Sequence, residues 1–65
     1  MVFSKDLIGK EVTYRLHGTM GVLTETIVNV TDDAFLATAG DGLRLHEMGY
    51  AVGTAVYESH IISVS

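Results

Sequence analysis

The three histidines, His17, His46 and His60, are the side chains that titrate nearest neutrality, and Glu47 and Glu58 stand beside two of them. Together they carry the atoms of a zinc or acid–base site. Their spacing matches no metal motif, since His46-Glu47 lacks the second histidine of H-E-x-x-H. Zinc sites have specific spacings, so strand-end or loop histidines, in solvent or at a subunit contact, are the simpler reading. A hydrolase needs a nucleophile, a base and an orienting group within reach. Ser59 and His60 are adjacent, and neighbours on an extended strand point to opposite faces. Ser4, Ser63 and Ser65 have no glycine elbow around them. Asp32, Asp33 and Asp41 lack the extended oxygen-rich loop of a calcium site and read as turn residues. Gly40-Asp41-Gly42 is a turn before it is a phosphate cradle. The expectation is no enzyme, no cofactor and no metal.

What remains is recognition. Arg15 and Arg44 offer charge-assisted hydrogen bonds to a phosphate or carbonyl. Tyr50 and Tyr57 offer a ring that stacks on a base and a hydroxyl that bonds, although interface anchors are often aromatic too. His17, Asn29 and His60 complete the polar and aromatic candidates for a ligand pocket. Tyr14 and Phe35 fall at core parity and are expected to pack.

These groups sit on short elements punctuated by seven glycines, with no proline. Residues 4–8 suit one helical turn, with Ser4 as N-cap, Asp6 in the first turn and Gly9 as the stop. Leu7 and Ile8 would then lid the open end of a barrel. Lys10–His17 alternates, with Val12, Tyr14 and Leu16 on one face and Glu11, Thr13, Arg15 and His17 on the other. Val22–Val30 is rich in β-formers but switches parity between Ile27 and Val28, which predicts a bulge or a strand curved enough to serve two sheets. Thr31-Asp32-Asp33 is a turn and Ala34–Ala39 a short strand. Asp41-Gly42 is a hairpin signal, after which Leu43–Met48 reads as a return strand or a loop. Tyr50–Tyr57 and His60–Val64 complete the strands, with a turn at Glu58-Ser59. The fold expected is all-β: a small five- or six-stranded SH3-like barrel spanning 1–65 as a single domain, with a short N-terminal helical turn.

The bulk numbers bound what such a barrel does. With 65 residues, only about 60% of the unfolded chain's surface can be buried, so a lone core is marginal. There is no cysteine, which removes disulfides and thiolate metal sites, and self-association is the remaining support. The start Val2-Phe3-Ser4-Lys5 lacks the layout of a signal peptide. No apolar run approaches the roughly 20 residues that span a bilayer. A soluble, cytoplasmic chain without a membrane partner is expected. The net charge is −4, with four Lys and Arg against eight Asp and Glu. That argues against a broad phosphate-tracking surface, while leaving room for a ring that concentrates one cation at a pore.

The order of elements resembles the Sm-like proteins, including Hfq and the LSm proteins. Leu7-Ile8-Gly9-Lys10-Glu11-Val12-Thr13-Tyr14-Arg15-Leu16 looks like their short helix running into the first strand. Gly21-Val22-Leu23 looks like the entry to their bent second strand, and Tyr57–Val64 like their closing segment, a tyrosine strand passing a one-turn corner into the last strand. The resemblance covers nearly the whole chain and implies a ring-forming barrel, RNA as a ligand, and pairing of the penultimate strand with a neighbour. The chain departs from it where Hfq-type proteins carry Lys-His after that tyrosine: here Glu58 and Ser59 stand, with His60 one place late. The aspartate-centred signature of the second and third strands is not in register, and residues 40–53 look like an enlarged hairpin relative to a minimal Sm-like fold.

The first expected function is a homo-oligomeric binding module, because edge pairing closes a small barrel cheaply. The charge balance favours a nucleotide-like ligand or short RNA held by a few placed groups. The alternative is a structural or adaptor protein that docks a protein partner by an edge strand or an exposed hairpin, for which the Leu43–Val52 arm is the candidate.

Overall fold

A computed structural model describes residues 2–16 and 18–65. It is mostly strand: β1 (Glu11–Arg15), β2 (Val22–Val30), β3 (Ala34–Thr38), β4 (Thr54–Tyr57) and β5 (Ile61–Val64), with one short helix, α1 (Asp41–Glu47). All strand pairs are antiparallel and form one curled sheet, a half-barrel, in the order β4-β3-β2-β1-β5. Among the described residues no helix is long and apolar enough to cross a membrane.

The alternation read in the first strand is the one observed: Val12 and Tyr14 are buried while Glu11 and Arg15 face solvent. The β2 strand is the long one because it serves two partners. Its first half pairs with β1, Arg15 opposite Val22 and Glu11 opposite Thr26, and its second half pairs with β3, Thr26 opposite Thr38 and Val30 opposite Phe35. The changeover is a bulge: between Ile27 and Asn29 the register shifts, leaving Val28 as the extra residue. Consecutive burial of Ile27 and Val28 is the trace of it in the sequence. The bulge also increases local twist, so β2 bends and the sheet curls around one core.

That core is Val12, Tyr14, Ile27, Phe35, Ala37 and Val56, with Phe3, Leu7 and Ile61 packed against it. The Phe3 ring meets Phe35 edge-on, centroids 4.8 Å apart at 70°, the favourable aromatic geometry. Lys5–Leu7 forms a single 3₁₀ turn, capped by Ser4, whose side chain accepts from the Asp6 amide at 3.3 Å. Leu7 covers the core as expected, whereas Ile8 is largely exposed. At the β2–β3 corner the Thr31 amide donates to the Ala34 carbonyl, and the Thr31 hydroxyl bonds Asp33 and Ala34.

Three expectations are corrected. Leu43–Met48 is neither a strand nor a loop: Asp41–Glu47 is α-helix. The hairpin signal Asp41-Gly42 lies inside the helix, because Gly40, at φ 59°, turns the chain one residue earlier. Leu, Arg and Glu then favour helix, Asp41 suits the first turn, and it pairs with Arg44 one turn on. Gly42 is required there because a Cβ would collide with the Thr38 side chain. The fourth strand begins at Thr54 rather than Tyr50, since Gly53 at φ 125° breaks any earlier extension. Tyr50 therefore lies on the connecting segment. The last strand begins at Ile61, because Glu58–His60 forms a 3₁₀ turn, which also takes Ser59 and His60 off the extended backbone on which their geometry was reasoned. The described residues form five strands, within the five or six expected.

Candidate functional site

The curl brings the end of β1 to face β4, two strands that are not neighbours in the sheet. Between them lies a cleft of about 460 Å³. Tyr14, Arg15 and Leu16 line one side, Thr54 to Tyr57 the other, and His60 stands at the corner. Three residues selected from sequence, Arg15, Tyr57 and His60, thus share one cleft.

The parity of β1 explains the arrangement. Tyr14 turns inward and Arg15 outward, so the strand supplies a floor and a rim from consecutive positions. The Tyr14 hydroxyl donates to Glu25 Oε1 at 2.7 Å. Burial, that hydrogen bond and the negative charge of Glu25 push the phenol up to about 12, while a hydrogen bond with Thr54 acts in the opposite sense. The floor is therefore a neutral phenol at physiological pH, fixed between β2 and β4, and not a proton acceptor. Arg15 is exposed and, among the described residues, is in no salt bridge. The Tyr57 ring is 48% exposed at the rim, and His60 is half-buried with a partner of its own. A guanidinium and an accessible ring lining one cleft can hold an anionic group and stack its aromatic neighbour.

The other selected residues lie elsewhere. Asn29 and Tyr50 line a second concavity, of about 430 Å³, on the β2–β3 bulge. His46, absent from the selected set, lines it as well. Arg44 stands in a shallow third recess with Leu45 and is bound to Asp41 at 3.1 Å, both side chains in solvent. His17 lies outside the described residues. Among those residues no group of three or more His, Cys, Asp or Glu is arranged to hold a metal.

Sequence reasoning missed Tyr14 and Thr54 as lining of the cleft, and Glu25 as the acceptor for the Tyr14 hydroxyl. Tyr14 was assigned to the core, correctly, but its hydroxyl needed a buried-side partner. The available signal was Glu25, an acid on the inner parity of β2. No protein-family model matches this chain, and no curated protein or solved structure matches it.

Proposed function

We propose that this chain is a non-enzymatic, oligomeric binding module of the SH3-like, Sm-like barrel type. It holds a nucleotide-like anion, or the terminal nucleotide of a short RNA, in the β1–β4 cleft. The observation that carries the reading is the convergence of Arg15, Tyr57 and His60 on that cleft, over a neutral hydrogen-bonding floor. The strand order β4-β3-β2-β1-β5 and the bent β2 agree with such a barrel. The two outermost strands, of four residues each, have one neighbour apiece, which supports assembly by edge pairing. The few cations favour a short ligand over a long tracked strand.

Calorimetric titration with uridine 5′-monophosphate tests this. Replacing Arg15 with Ala should weaken binding by about 1.5–3 kcal/mol, the range for hydrogen bonds to charged groups, and leave the fold intact. Tight binding of long single-stranded RNA, falling steeply on a log–log salt plot, would instead indicate a phosphate-tracking surface. If neither nucleotide nor RNA binds, the adaptor reading replaces this one.

A further inference from the structure

We propose that the second concavity is a separate binding site for a small, neutral, planar heterocycle bearing a ring carbonyl, a cyclic amide whose oxygen accepts a hydrogen bond from Asn29. The bulge creates the site. The inserted residue, Val28, and Asn29, opposite Leu36 on β3, both line it. Asn29 and Leu36 line the concavity together, and His46 from α1 and the segment from Gly49 to Gly53 enclose it.

The carboxamide of Asn29 has a determined orientation. Its Oδ1 accepts from the Val30 amide at 2.8 Å, and only the oxygen end can accept from an N–H. Nδ2, with two hydrogens, is left as the available end, and among the described residues it has no partner. The site therefore presents a donor and selects an acceptor. The exposed Tyr50 ring suits a flat ligand. Gly49 and Gly53 line the concavity without side chains, at φ 95° and 125°, while Val28, Leu36 and Val52 supply apolar surface. Tyr50, 58% exposed, offers a ring for stacking. No lysine or arginine lines the site, in contrast to the cleft at Arg15. The volume of about 430 Å³ lies within the ordinary range for small-molecule sites.

The test uses 2-pyridone as probe and benzene, a ring without the acceptor, as control, followed by two-dimensional ¹⁵N NMR of the intact chain. With 2-pyridone the side-chain NH₂ signals of Asn29 should shift in a saturable manner, together with the backbone amides of Tyr50 and Val52. Benzene should leave the Asn29 NH₂ signals in place. Asn29→Asp is the decisive variant. Its carboxylate still accepts from Val30, so the backbone is retained, but the donor becomes an acceptor. Binding should weaken by at least about tenfold, the equivalent of losing one buried hydrogen bond, with the Val30 amide signal unchanged. Equal affinity in N29D, or no saturable shift at Asn29 in the parent, overturns the proposal. Because the probe carries no phosphate, binding should be the same in Arg15→Ala, so this site can fail while the cleft stands, and the reverse.

Discussion

Tyr14 joins three strands through one side chain. Its ring is in the core, its hydroxyl donates to Glu25 on β2, and it lines the cleft together with Thr54 on β4. The folded state holds this phenol's proton more tightly than the unfolded chain does, with the pKa raised from 10.0 to about 12. A group raised in this way contributes stability that is complete below the unfolded value and is lost as pH rises through the folded one. The window is therefore pH 10 to 12. Two units correspond to roughly 2–3 kcal/mol at most. Urea denaturation of the parent should show stability falling across that window, and Tyr14→Phe should remove most of the fall. At neutral pH the same variant should cost about 1 kcal/mol, the ordinary worth of one hydrogen bond. An identical alkaline slope in both proteins would show that Tyr14 does not titrate differently on folding.

Among the elements, β1, the bulged β2 and the Thr31–Asp33 corner were legible in the sequence because each is specified locally. Val12, Tyr14 and Leu16 alternate over several positions, and the Ile27–Val28 parity switch has one simple mechanical cause. The helix α1 was not legible. Seven residues are too few to display a 3.6-residue period, and Asp41-Gly42 sends a competing hairpin signal. The glycine inside it answers to packing: Gly42 sits so close to Thr38, the last residue of β3, that no side chain fits. This makes a prediction opposite to intrinsic propensity. Alanine in a helix interior is favoured over glycine by about 1 kcal/mol, yet Gly42→Ala should destabilise the protein by about 1–3 kcal/mol through overpacking. Adding Thr38→Ala should recover part of that loss, a coupling that a double-mutant cycle of melting curves measures. If Gly42→Ala raises stability, α1 does not pack on β3 as described. The candidate cleft was legible only by residue type. Arg15, Tyr57 and His60 lie more than forty positions apart at the extremes, and the curl of the sheet brings them together, a consequence of the bulge rather than of any motif.

The whole molecule has a small core and two open edges. Among the described residues eight form the buried apolar set, four of them bulkier side chains that are fully enclosed, and a core of that size in a chain of this length supplies only a few kcal/mol. At the same time Tyr57 on β4 and Ile62 on β5 are about half exposed on the strands that have one neighbour each. Unpaired edges of this kind either carry protecting charges or pair with another chain. Lysine and arginine are absent from both strands, and so are aspartate and glutamate. Pairing β4 of one copy with β5 of the next is a heterologous contact, which closes into a ring when the rotation permits. If copies pair in this way, association and folding are linked, and the melting temperature should rise with protein concentration. Sedimentation equilibrium at micromolar concentration should show an oligomer. Ile62→Lys, which places a charge on an exposed position of the edge, should shift it toward smaller species and lower the melting temperature in parallel. A folded monomer that persists on dilution, with a melting temperature independent of concentration, would remove the oligomeric reading while leaving the Arg15 cleft of each copy to be judged by its own titration.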